Sequence, residues 1–272
     1  MHAQRETVTP DEFERAIEVF ARGWCFARSF THPYLAERVS MDAPGNRSGG
    51  SLWVLRDAER RSGRYRNEEW VSHRVPPARV HAAATGPPPH RRGGYTVCAI
   101  HAADEPDQPL RAGFKALDYR LMTSEPFMIH RLRRIPRVAA PATIRRVRTP
   151  ELAARLAKAA RSRQVLPENL GDEAPQRQYV ALIDGAIVGW VGSIAVEDAT
   201  WCQNMFVQRE FRRRGIARAM LCRLLRDDRA AGAKLAVLLA SHTGAKLYHT
   251  VGYRQIGTLL LFSPRKRPSK QT

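Results

Sequence analysis

Val207-Gln208-Arg209-Glu210-Phe211-Arg212-Arg213-Arg214-Gly215-Ile216-Ala217 says more about this chain than any other segment. Ahead of it, residues 201–207 form an apolar run that reads as a strand. Behind it, an amphipathic helix is expected from 216 to about 229. A strand, a loop rich in backbone N–H groups and a helix N-terminus together suit a phosphate or pyrophosphate, because unpaired N–H groups and the helix dipole converge on an anion. Gly215 lets the backbone approach that anion closely, and Ala217 keeps the first helical turn small.

A second element follows at helix distance. Residues 235–240 (LAVLLA) are short and apolar enough for a buried strand. Next comes Ser241-His242-Thr243-Gly244-Ala245-Lys246-Leu247-Tyr248-His249-Thr250-Val251-Gly252-Tyr253. Gly252 fits a helix C′ position, where a positive φ costs glycine nothing. The run YRQIGTLLLF then reads as a last strand.

The order Arg-x-x-Gly-x-Ala after a strand ending in Val, and Ser-x-x-Gly-x-x-Leu-Tyr-x-x-x-Gly-Tyr further on, resemble the two motifs of the GNAT (GCN5-related) N-acyltransferases. The resemblance covers roughly residues 141–265. It implies an α/β fold: a mixed, mostly antiparallel sheet flanked by helices, splayed after the fourth strand so that pantetheine lies in the gap. It also implies an acyl-CoA cosubstrate, most naturally acetyl-CoA, and no metal. Backbone N–H groups of Arg212, Arg213, Arg214, Gly215, Ile216 and Ala217 would take the pyrophosphate. The main chain of Met205, Phe206 and Val207 would pair with pantetheine and leave an N–H near the thioester oxygen. Tyr248 aligns with the tyrosine that protonates the departing thiolate in many members. Ser241 stands where members contact CoA, with helix N-capping as its competing role.

The general base is missing from this pattern. The strand Trp201-Cys202-Gln203-Asn204-Met205-Phe206-Val207 carries no acid. Glu197 and Asp198 precede it, and Glu168, Asp172 and Glu173 lie in the segment expected to line the acceptor pocket; any of these could act through water, or the amine could arrive neutral. His242 and His249 read as surface residues beside a helix, and Cys202 as a core thiol.

At 272 residues the chain exceeds the usual single domain of about 100–200 residues. Two parts are expected: an accessory or degenerate GNAT-like α/β domain over 1–135, and the acyltransferase domain over 141–272, joined by a linker at 133–142 (RRIPRVAAPA). No run approaches the roughly 18 apolar residues of a membrane span. The start, MHAQRETVTPDEF, lacks a signal peptide's apolar stretch. Cys25, Cys98, Cys202 and Cys222 have no metal or disulfide spacing and read as reduced core thiols of a cytoplasmic protein.

The net charge is +19, of which residues 1–140 hold +6 and 141–272 hold +13. Only 6 of the 45 basic residues are Lys, so much of the excess reads as an Arg-rich composition, although it also suits CoA phosphates. Three functions therefore stay open. The first is an acetyl-CoA-dependent N-acetyltransferase acting on a small-molecule amine. The second is a transferase using or modifying an aminoacyl-tRNA or RNA-linked substrate, pointed to by Arg145, Arg146, Arg148 and the tail Arg265-Lys266-Arg267. The third is a CoA-binding regulator without catalysis.

Along the N-terminal part, Thr9-Pro10-Asp11-Glu12 is a helix start, with Thr at N-cap, Pro at N1 and Glu at N3. Loops are expected at 40–50 and 86–94, strands at 52–56, 95–101 and 125–132, and helices near 77–84 and 109–117. The segment between 57 and 76 reads as polar. LDYRLMTSEPFM (117–128) echoes VGYRQIGTLLLF (251–262), which suggests an internal repeat. In that repeat the phosphate loop falls at Arg60-Arg61-Ser62-Gly63, with no helix opening on it, and Tyr248 falls on Phe114, which lacks a hydroxyl. Asp184-Gly185 turns a hairpin in the C-terminal part.

Overall fold

Thr9 caps the first helix as its sequence requires: the Thr9 hydroxyl accepts the Glu12 N–H at 3.1 Å, and α1 runs Pro10–Arg28. The computed structural model describes residues 7–40, 50–59, 65–86 and 94–265. Arg60-Arg61-Ser62-Gly63 and most of the loops expected at 40–50 and 86–94 lie outside the described residues, as do Lys266 and Arg267. After α1 come β1 (Tyr34–Arg38), β2 (Ser51–Asp57), β3 (Glu68–His73), α2 (Pro77–Thr85), β4 (Tyr95–Ala102), α3 (Gln108–Ala116) and β5 (Tyr119–His130). The C-terminal part adds β6 (Thr143–Arg146), α4 (Pro150–Ala160), β7 (Gln176–Ile183), β8 (Ala186–Val196), β9 (Ala199–Val207), α5 (Ile216–Ala230), β10 (Leu235–Leu239), α6 (His242–His249) and β11 (Arg254–Pro264).

These elements divide into two compact units. Unit 1 comprises Met1–Arg15, Thr31–Phe127 and Gln255–Thr272; unit 2 comprises Ala16–Phe30 and Met128–Arg254. The strand order in unit 1 is β1-β2-β3-β4-β11 and then the first part of β5. In unit 2 the last residues of β5 are followed by β10-β9-β8-β7-β6. Most pairings are antiparallel; β3 with β4, and β10 with β9, are parallel.

Each unit thus follows the order strand, strand, helix, parallel strand, helix, and the repeat suggested by LDYR and VGYR extends to side-chain packing. Tyr248 and Tyr253 meet edge to face with centroids 5.7 Å apart, and Phe114 and Tyr119 do the same at 5.4 Å. Between the members of each pair the chain turns through a positive φ, 105° at Gly252 and 64° at Asp118. Two features depart from the sequence reading. The final strand β11, counted there with residues 141–272, lies in unit 1 from Gln255 onward and pairs with β4. The second strand of the N-terminal repeat is β3, in the segment read only as polar, so the counterpart of the phosphate loop follows His73 rather than Val54.

The core of unit 2 on one sheet face gathers Tyr179, Val191, Cys202, Met220, Leu224, Leu238, Tyr248 and Tyr253, with Met205 packed against it. The opposite face carries Val180, Ile187 and Trp190 with Leu156 of α4. Thr149 caps α4 by accepting the Leu152 N–H, and Asp184 (φ 47°) with Gly185 (φ 77°) makes the hairpin turn.

Candidate active site

The parallel pairing of β9 with β10 stops early. Ala199, Thr200 and Trp201 pair with Leu235, Ala236 and Val237, and the register ends there. Beyond it β9 bulges: Asn204 takes a φ of 53°, and the register with β8 shifts between Trp190 and Gly192. The edge of residues 203–207 that faces away from β8 therefore has no strand partner among the described residues. Its N–H and C=O groups are the kind that accept an added extended chain.

The loop after Val207 opens with a 3-10 turn, Arg209–Phe211, in which the Arg212 N–H is donated to the Arg209 carbonyl. Arg213 (φ 63°) and Gly215 (φ 82°) are both left-handed, a backbone pattern that forms anion-binding concavities. Gly215 is the N-cap of α5 and supplies no side-chain cap. Ala219 is the first residue to donate to the Gly215 carbonyl, so the N–H groups of residues 216–218 have no acceptor within the helix. Of the six N–H groups assigned to a pyrophosphate, that of Arg212 is thus engaged locally, and the loop from 213 onward carries the cradle. The Arg212 side chain folds back: its Nε donates to the Val207 carbonyl at 2.9 Å, and its guanidinium lies 5.8 Å from the centre of the Phe206 ring. Phe206 stacks on Trp190 at 4.5 Å and is 39% exposed.

Helix α6 is capped by Ser241, whose hydroxyl oxygen accepts the Gly244 N–H at 3.0 Å. That geometry fulfils the capping role and leaves the hydroxyl proton free to donate. At the other end, Tyr253 N–H bonds to the Tyr248 carbonyl at 3.1 Å and Gly252 N–H to that of His249 at 3.2 Å. This is a Schellman closure with Gly252 at C′. It presents Tyr248 from the last turn of α6 into the same core as Met205 and Val207 of β9. The Tyr248 side chain is nearly enclosed; burial foremost, and then the Cys202 thiol, push its phenol above the ordinary tyrosine range.

Other polar groups sit deeper. Asp228 of α5 is fully buried, accepts from Ser193 Oγ at 2.8 Å and Arg177 at 3.0 Å, and is pushed up to about 6 by burial. Cys202, beside the Tyr253 hydroxyl, is pushed up to about 12 by burial and then by the charge of Asp228. A thiol held that high is no nucleophile. Motif spacing carries no sign of the Asp228 cluster, because Arg177, Ser193 and Asp228 meet only through tertiary packing.

Among the acids considered as bases, Asp172 pairs with Arg146 and Arg148, and Asp198 with Lys234. Glu197 stands in the β8–β9 turn, and Glu168 and Glu173 are exposed. His249 Nδ1 contacts the Tyr253 carbonyl. All four cysteines are free and buried. No helix of the described residues is long and apolar enough to cross a membrane, and no group of His, Cys, Asp or Glu among them could hold a metal.

Comparison with known proteins bears on this arrangement. Residues 174–255 match the family described as "Acetyltransferase (GNAT) domain", a span holding β9, the loop, α5, β10 and α6. No curated protein matches the chain. Among solved structures, a GCN5-related N-acetyltransferase from Kribbella flavida is similar at a TM-score of 0.56 and 16% identity, covering 93% of this chain and 96% of that one. One from Sphaerobacter thermophilus gives 0.52 and 19%, covering 80% and 81%. A GCN5-related N-acetyltransferase-like protein from Streptococcus suis gives 0.52 and 13%, covering 93% and 99%. At these identities the likeness is one of fold. Residues 174–255 thus match an acetyltransferase (GNAT) domain, and the chain shares the mixed α/β fold of the GCN5-related N-acetyltransferases.

Proposed function

We propose that the protein is an acetyl-CoA-dependent N-acetyltransferase whose acceptor is the amine of a small molecule. The observation that carries this reading is the unpaired edge of β9 over residues 203–207, leading through a short loop into a helix capped by a left-handed glycine. Pantetheine would add to that edge like a strand, beside Met205, Phe206 and Val207. The pyrophosphate would take the N–H groups of residues 213–217, and Ser241 would donate its hydroxyl proton to the cosubstrate. Tyr248 would return a proton to the thiolate; burial keeps it protonated at neutral pH. Buried free cysteines suit a reducing compartment such as the cytoplasm.

Unit 1 would bind no CoA, for two physical reasons. Strand β3 stays paired with β4 over all six of its residues, so its sheet leaves no gap for pantetheine. The helix after it begins at Pro76-Pro77, and proline has no N–H to offer a phosphate. On this reading the N-terminal part is a degenerate repeat without a CoA site.

Gly215→Glu tests the assignment. It forces a side chain into a φ of 82° and puts a negative charge where the pyrophosphate would sit. Calorimetry is expected to show acetyl-CoA affinity falling at least 100-fold, with the circular dichroism spectrum unchanged. Unaltered affinity in the folded variant would refute the site.

A further inference from the structure

Strands β2 and β3 of unit 1 turn alternate side chains toward α2. Val54 and Trp70 are cross-strand partners, and Arg56 and Glu68, two positions away along each strand, share their face of the sheet. Opposite them α2 offers only Ala82 and Ala83. With Gly86 these residues line a cleft of about 180 Å³, the space that larger helix side chains would fill. The cleft reaches solvent, since Ala82 is exposed and the Arg56 side chain is 30% exposed. It is also preformed. His81, next to Ala82, brings Nδ1 to 2.9 Å from the Tyr119 hydroxyl, which lies 2.9 Å from that of Tyr95. These contacts tie α2 to the first residues of β4 and β5 and keep it from settling into the cleft.

The charges in the wall favour one sign of ligand. Arg56 is held by Glu37 of β1 through two bonds, Nε to Oε1 at 3.2 Å and Nη2 to Oε2 at 2.6 Å. With that guanidinium engaged, the carboxylate of Glu68 sets the sign of the cleft. Glu68 is only 9% exposed, and its Oε2 accepts the Trp70 indole N–H at 3.2 Å. A carboxylate accepts up to about four hydrogen bonds, so that donor does not saturate it. Partial exclusion of water strengthens its pull on a cation. Trp70 adds a second attraction, because an indole ring draws a cation to its face. An apolar cavity of about 150 Å³ holds one benzene ring, so the volume here suits a single ring with a short arm.

We propose that the cleft between β2, β3 and α2 binds a small organic cation, a protonated amine carried on one ring, with Glu68 holding the ammonium and Trp70 packing on the ring. The site lies wholly within unit 1 and gives the N-terminal part a ligand of its own, distinct from the cosubstrate proposed for unit 2.

The test titrates the full chain with benzylamine, benzyl alcohol and benzoate, which share a ring and differ in charge. Binding is read from the Trp70 indole N–H resonance, identified by its loss in Trp70→Phe. Benzylamine is expected to bind about 10-fold more tightly than benzyl alcohol, the gain of one charge-assisted hydrogen bond, and benzoate to bind weakest. Benzyl alcohol or benzoate binding as tightly as benzylamine overturns the proposal, as does a Trp70 signal that benzylamine leaves unmoved at about 10 mM. These outcomes come from the wild-type chain and need no variant to fold. Glu68→Gln keeps an acceptor for the indole and removes the charge, and should bring benzylamine down about 10-fold, to the level of the alcohol. An amine preference that survives in the folded variant overturns Glu68 as the partner. Ala83→Leu puts a branched side chain into the cleft and should abolish the benzylamine titration; persistence overturns the placement. None of these titrations contains acetyl-CoA, so their outcome is independent of the cosubstrate assignment.

Discussion

Burial of Tyr248 has two opposed consequences for an acid. It holds the proton securely at neutral pH, and it weakens the phenol as a donor by raising its pKa. The role survives only if the developing thiolate is also poorly solvated there, so that its own proton affinity rises in step. Tyr248→Phe leaves the ring in its edge-to-face contact with Tyr253 and removes the proton alone. Turnover should drop about 10²–10⁴-fold with acetyl-CoA affinity little changed. Wild-type turnover in that variant, with the chemical step shown to limit the rate, would move the proton source to solvent. The same scale explains the Ser241 ambiguity: motif position could not separate capping from cosubstrate contact, because one hydroxyl can accept from Gly244 while donating elsewhere.

Helix ends and strand ends place the candidate site. Gly252 closes α6 at a φ of 105°, and a Cβ there would lie 2.8 Å from Nε2 of His130. His130 is itself fixed on both sides: Nδ1 accepts the Leu132 N–H at 2.9 Å, and Nε2 contacts the Val251 carbonyl at 3.1 Å. Gly252→Ala should cost about 2–4 kcal/mol, from the strained backbone and the displaced buried histidine, read as a shift in the denaturation midpoint. A loss under about 0.5 kcal/mol would show that the turn relaxes freely. Helix α5 carries the second element-scale prediction. Asp228 is raised to about 6 by burial, so its contribution to stability is fully present below its unfolded value and is lost as pH rises through 6. Relative to Asp228→Asn, the wild type should therefore lose on the order of 2 kcal/mol between pH 4 and pH 7.5 in chemical denaturation. A flat difference across that window would mean that the carboxyl titrates normally.

For the whole molecule, the division into units sets the expected stoichiometry. With β3 paired throughout to β4 and prolines opening α2, the proposed cradle among the described residues lies in unit 2, so titration of the full chain should give one acetyl-CoA per chain. Two per chain would place a second site in unit 1. Unit 2 also draws on Ala16–Phe30 and Met128–Arg254, and within it Phe20 packs on Trp201 with centroids 5.3 Å apart. A fragment cut at 141 lacks that helix and the end of β5, and is expected to aggregate rather than fold.

Elements with local signals were legible from neighbouring residues alone. The Thr9 and Thr149 caps, the Asp184-Gly185 turn, the Gly215 loop and the Gly252 closure each depend on a few neighbouring residues, and each is where the residues placed it. Strand β3 escaped notice because Glu68, Ser72 and His73 look solvent-facing in sequence. They are buried, with Trp70 donating to Glu68 and Glu14 of α1 meeting His73 at 2.6 Å. A polar residue is buried where a distant partner satisfies it, and periodicity carries no record of that partner. Three further matters depended on contacts between distant segments: that β11 leaves its own half of the sequence to pair with β4, that β9 parts from β10 past Trp201, and that carboxamides from three segments meet at its bulge. Strand partners and side-chain clusters are chosen by the fit of surfaces far apart in the chain, and motif spacing does not encode that fit.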